Sequence, residues 1–154
     1  MSADGIRPEL ALVIGLGGAI GTGMRHGVDL LLNPWLSSLP GLGFETTFIV
    51  NATGSLLIGV LAVLTGRRGP WGEGPYFRAF IITGLLGGYT TASLFSLEVL
   101  GLIQGGEVGM AGLYVFISFS ICLTAVWLGY AVSWPLIHGR LLRRRAAIRR
   151  AGRR

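Results

Sequence analysis

Four long apolar runs decide what this chain can fold into: Leu10–Leu32, Thr46–Thr65, Phe77–Ile103 and Gly109–Ile137. Each meets the roughly 20 residues an α-helix needs to cross about 30 Å of hydrocarbon. A water-soluble fold of 154 residues has nowhere to bury four such runs. Only 13% of the residues are charged, against about 25% in soluble domains. The expectation is an all-α membrane protein with four transmembrane helices, filling residues 1–138 as one domain. Residues 139–154 form an arginine-rich tail. The opening MSADGIRPEL has no basic n-region, and no small-residue cleavage site follows the first run. Helix one is therefore expected to stay rather than be removed as a signal peptide.

Charge is unevenly placed. All 13 basic residues are arginines, the net charge is +6, and eight arginines lie in HGRLLRRRAAIRRAGRR. Arg67, Arg68 and Arg78 lie between helices two and three. The other two loops, NPWLSSLPGLGFE and GLIQGGEVG, carry no basic residue. The positive-inside rule then puts both termini and the second loop on the cytoplasmic side of the cell membrane. The tail reads as a topology anchor touching anionic lipid head groups. Basic runs also bind nucleic acid, but this one abuts a membrane helix and has no aromatic residue for base stacking. No nucleic-acid partner is expected. The single Cys122 supports neither a disulfide framework nor a multi-cysteine metal site, and is read as a packing residue.

Polar residues inside the apolar runs carry the remaining information. In GLGGAIGTGMRHG, Gly17 and Gly21 form one GxxxG pair and Gly23 and Gly27 another. Small residues at this spacing let helices approach closely. Arg25 either snorkels to the interface with Asp29 one turn on, or lines an aqueous vestibule that attracts anions. Asn51 either joins helices or turns its amide donors into a pore, since an amide in hydrocarbon needs a partner. In GLLGGYTTASLFS, residues 84–96, a glycine pair and two threonines have poor helix propensity. Either the helix unwinds there or it stays intact with a tight glycine face. An unwound turn frees carbonyls for a cation and is tolerated only when buried or facing water. In helix four, Tyr114, Ser118 and Cys122 are four apart and share one face, a polar track.

No catalytic constellation is present in the sequence. His26 and His138 lie near helix ends, and there is no nucleophile–base motif, phosphate loop or redox cysteine pair. An enzyme is not expected. The seven acids, Asp4, Glu9, Asp29, Glu45, Glu73, Glu98 and Glu107, are expected in loops or near helix ends. That leaves no mid-membrane carboxylate for a proton-coupled pump. Hydroxyls, an amide and an arginine at a mouth suit passive passage of a small anion.

Three stretches resemble the CrcB, or Fluc, family of fluoride channels. They are GGAIGTGMRH at 17–26, TTFIVNATGSLLIG at 46–59 and TGLLGGYTTASLFSLE at 83–98. The resemblance runs through all four helices. It implies a passive channel that exports F⁻ from the cytoplasm to reduce its toxicity. It implies an antiparallel dimer with two narrow pores at the subunit interface and a break in helix three. It also implies a structural Na⁺ at the dimer centre, held by the backbone carbonyls of Gly87 and Thr90. Asn51, Phe95, Ser93, Ser96, Tyr114, Ser118 and Arg25 match the family's pore positions. The mechanism implied is dehydration of F⁻ against fixed donors in a narrow pore with several weak sites.

One departure bears on that mechanism. The family pattern has a phenylalanine where this chain has Ala92, and a threonine where it has Leu94. One of the two pores is expected to be altered or closed. The strong arginine bias is also unlike a chain that inserts both ways, so a partnership with an oppositely oriented homologue is expected over a homodimer. Two further readings are kept: a non-conducting or half-active subunit of a heterodimeric channel, and a small four-helix multidrug exporter.

Overall fold

Every described element is helical. The computed structural model describes residues 7–36, 45–66, 69–71 and 74–151, and for Glu45, Leu136, His138 and residues 140–151 it describes the backbone alone. Arg67, Arg68 and Glu73, and most of the loop after helix one, lie outside the described residues. The arginine side chains of the tail lie outside them too.

Helix α1 spans Pro8–Leu36 and α2 spans Glu45–Leu64. The third span is subdivided into α3 (Pro75–Arg78), a π-helical segment (Ala79–Leu86), α4 (Gly87–Tyr89) and α5 (Ala92–Gln104). Helix α6 runs from Val108 to Ala151 without interruption. Among the described residues three stretches are long and apolar enough to cross a bilayer: Thr46–Leu64, Pro75–Gln104 and Val108–Pro135. The first of the four expected helices is not among them. Helix α1, at 29 residues, has the length, but its six glycines together with Arg25, His26 and Asp29 dilute its apolar content.

Glycine contacts fix how the spans pack. Gly17 and Gly18 of α1 lie against Gly84 and Gly88 of the third span, and Gly21 lies against Leu85 and Tyr89. A Cβ at Gly21 would run into the backbone of Leu85, and one at Gly88 into the backbone of Gly18. The second pair does not behave this way. Gly23 and Gly27 face open space, so the expectation that they pack is corrected for the chain itself. Helix α2 lies along α6, where Gly59 approaches Val126 and Gly129 approaches Leu56.

The core is small: Val50, Val63, Leu86, Tyr89, Ala111 and Tyr114 are its buried members. Leu31, Phe116 and Leu123 are each about 70% exposed. Apolar surface on this scale must be covered by lipid or protein. Helix α5 touches α6 and α2 but buries no residue of its own.

A tight turn joins α5 to α6. Gly106 has φ +84°, its N–H bonds the Ile103 carbonyl at 3.1 Å, and Glu107 N–H bonds the Leu102 carbonyl at 2.8 Å. This is the Schellman arrangement, which needs a left-handed residue at its centre and so favours glycine. It turns the chain back so that the polar track of α6 faces α5.

Candidate functional site

Two consecutive residues leave helical geometry inside the third span. Gly87 is still helical at φ −63°, ψ −34°. Thr90 (φ −78°, ψ 158°) and Thr91 (φ −144°, ψ 121°) are extended. One distant side chain satisfies the exposed peptide. Asn51 Nδ2 donates to the Thr91 carbonyl at 2.9 Å, and Asn51 Oδ1 accepts from the Thr91 N–H at 2.8 Å. Thr91 then caps α5, its Oγ1 accepting from Leu94 N–H at 3.2 Å. On the other side Tyr89 is buried, with its hydroxyl 3.0 Å from Thr53 Oγ1.

These bonds have a consequence for two carbonyls. In a continuous helix Thr91 N–H would donate to Gly87 O, and Leu94 N–H to Thr90 O. Both donors are diverted, the first to Asn51 and the second to the Thr91 hydroxyl.

A cavity of about 240 Å³ opens beside the extended residues, lined from α2 by Asn51 and Ser55, from the third span by Thr90, Thr91, Ala92 and Phe95, and from α6 by Ser118, Phe119 and Cys122. An asparagine amide carries two N–H donors, and among the described residues one of Asn51's is used. Ser118 is 7% exposed. Its Oγ lies beside the Tyr114 phenol yet makes no hydrogen bond among the described residues. The wall thus holds two donors without a partner among the described residues. The Phe95 ring stands 5.1 Å from Tyr114 and 6.0 Å from Phe119, the latter at 76°. Ring edges carry partial positive charge and can face an anion.

Next to this cavity Glu98 joins three helices. Thr47 of α2 donates to its Oε1 at 2.5 Å, and Tyr114 of α6 donates to its Oε2 at 2.7 Å. Glu98 is half-buried at the middle of α5. The expectation that every acid lies in a loop or near a helix end is therefore corrected. The signal was available, because Glu98 is the lone acid in the run SLFSLEVLGLI.

The residues singled out from the sequence fall into three groups. Asn51, Phe95, Ser118 and Thr90 meet at the cavity, and Tyr114 backs it through Phe95 and Glu98. Ser93 and Ser96 are exposed and off its wall. Ser93 Oγ lies 3.2 Å from Thr91 Oγ1, and Ser96 donates to the Ala92 carbonyl at 2.8 Å. Arg25 and Gly87 also lie off the wall; the buried Arg25 Nε has no partner among the described residues. Sequence reasoning passed over Phe119; it read Thr91 only as a weak helix former, and Cys122 as a packing residue on the polar track.

Residues 12–130 match the family described as CrcB-like protein, Camphor Resistance (CrcB). The chain belongs to the CrcB family. It is 42% identical over 130 residues to a "Fluoride-specific ion channel FluC" of Thermus thermophilus, covering 84% of this chain and 97% of the relative. The proteins of the same name from Rhizobium meliloti and Opitutus terrae are each 42% identical. They match over 128 and 122 residues, 82% and 79% of this chain and 97% and 90% of theirs. The CrcB match contains the whole cavity wall and Glu98, and ends before the arginines of the tail.

Proposed function

We propose that this CrcB-family chain is a passive, fluoride-selective ion channel and not an enzyme. The carrying observation is the cavity where the second Asn51 N–H, the unpartnered Ser118 hydroxyl and the Phe95 ring converge. Fluoride is small and strongly hydrated, so a pathway must replace its water with fixed donors. Donors spaced along a wall hold the ion weakly enough to release it. The names of the relatives, fluoride-specific ion channels aligned over nearly their whole length, support the same ion.

The finer features belong to the same proposal. Flow runs outward from the cytoplasm. Two antiparallel copies, or this chain and an oppositely inserted homologue, cover the sparsely packed α5 and complete the pores. Na⁺ fits the carbonyls of Gly87 and Thr90, whose helical donors are diverted, because a hard cation takes oxygen ligands. Those two residues would hold it, and it would supply fixed positive charge at the join between subunits. Replacing Na⁺ with a large organic cation is expected to lower the unfolding temperature of the assembled protein. An unchanged temperature removes Na⁺ from the proposal.

The test of the function is efflux from liposomes loaded with potassium fluoride, read with a fluoride electrode. Fast efflux with chloride retained is expected from the assembled protein. Equal leakage of chloride, or no efflux under any subunit pairing, overturns the proposal.

A further inference from the structure

We propose that the helical extension after residue 135 binds the anionic head groups of the membrane surface. The membrane-crossing part of α6 ends at Pro135, while the helix runs on to Ala151. The extension lies beyond the CrcB match, so it is no part of the common channel body. Tyr130 and Trp134 stack at 5.5 Å just before it, and such aromatic residues mark the membrane–water interface.

The extension carries one sign of charge. Six arginines occupy residues 140–150, two more lie beyond them, and no acid occurs after Glu107. On a helix of 3.6 residues per turn, Ile137, Leu141 and Ile148 fall close together, with Arg144 among them and the other arginines of 140–150 spread around the helix. A cluster of arginines that follows a membrane-crossing helix directly is the pattern of a segment held at the surface of an anionic membrane. The helix geometry bears on where it goes. Held straight, the helix from Trp134 to Arg150 would carry the charge about 24 Å outward. Surface potentials fade over about 8 Å at physiological salt. Pro135 removes one helical hydrogen bond and Gly139 weakens the next turn, so the helix can bend onto the surface there. A nucleic acid is the weaker match, because the extension offers no aromatic residue for stacking after Trp134.

The experiment uses the full chain with Cys122→Ser and Ile148→Cys, an environment-sensitive fluorophore on the new thiol, reconstituted in phosphatidylcholine vesicles with or without phosphatidylglycerol. Phosphatidylglycerol is expected to raise emission about twofold with a blue shift, and the gain is expected to vanish at about 1 M salt, where screening acts within about 3 Å. Changing the six arginines at 140–150 to glutamine is expected to abolish the gain while helix content by circular dichroism is kept. Should that variant fail to insert, Arg143→Gln, Arg144→Gln and Arg145→Gln together are expected to give an intermediate gain. Equal emission in both vesicle types overturns the proposal, as does a gain that the glutamine variants retain. A larger response to a short DNA duplex in neutral vesicles overturns it in favour of nucleic-acid binding.

Discussion

Asn51 and Ser118 line one cavity but stand in opposite energetic positions. The Asn51 amide is bound through both its atoms to the Thr91 peptide. Removing it leaves a part-buried donor and acceptor unpaired, which costs about 1–3 kcal/mol for such groups. Asn51→Ala is therefore expected to lower the unfolding free energy by about 2 kcal/mol and to slow fluoride efflux as well. Thermal unfolding in detergent and liposome efflux report the two losses separately. Ser118 Oγ makes no hydrogen bond among the described residues, and its polar neighbour is the Tyr114 phenol beside it. Ser118→Ala is expected to leave stability unchanged or slightly raised, because a buried unsatisfied hydroxyl is a cost. Efflux through the same variant is expected to fall about tenfold, the size of about 1.4 kcal/mol in a barrier. A Ser118→Ala protein that is destabilised yet conducts at full rate would mean that the hydroxyl serves the fold and not the ion.

At the scale of elements, the two glycine pairs of α1 look alike in sequence and differ in place. Gly21 abuts the backbone of Leu85, while Gly23 faces open space. Gly21→Ala is expected to drive α1 off the third span and destabilise the protein by more than about 2 kcal/mol, in the upper range for overpacking. Gly23→Ala adds helix propensity worth up to about 1 kcal/mol and is expected to be neutral or stabilising. Unfolding temperatures of the two variants measure the difference; a strong loss at Gly23 would place a second chain against that face. Spacing could not separate the pairs, because the choice is made by what lies opposite. The third span teaches the same lesson. Weak propensity is spread across Gly87, Gly88, Thr90 and Thr91, yet the glycine at 87 is helical and the two threonines are extended. The deciding partner is Asn51, forty residues away. Length and hydropathy made the helices themselves legible, because a bilayer leaves few other choices. Glu98 was misplaced for the converse reason: its partners, Thr47 and Tyr114, come from two other helices.

For the whole molecule the governing tension lies between charge and symmetry. An antiparallel dimer of identical chains needs each chain to insert in both orientations. Orientation follows the arginines flanking the membrane-crossing helices, and here eight of the 13 lie in one terminal segment. None lies in the stretches 33–45 or 104–109, which join helices one to two and three to four. Reversed insertion would have to carry that whole cationic segment across the bilayer. The expected outcome is a single orientation with the C-terminus in the cytoplasm. Fusing alkaline phosphatase and green fluorescent protein in turn to the C-terminus measures it, since the first is active only outside and the second fluoresces only inside. Fluorescence without phosphatase activity is expected. It carries a consequence for the proposed antiparallel pair: chains inserted one way cannot form it alone, so efflux through such a pair would require an oppositely oriented homologue. Comparable signals from both reporters would instead make the homodimer sufficient. The small Ala92 on the cavity wall would then be a feature of both pores, with Phe95 the only ring of that motif facing the ion.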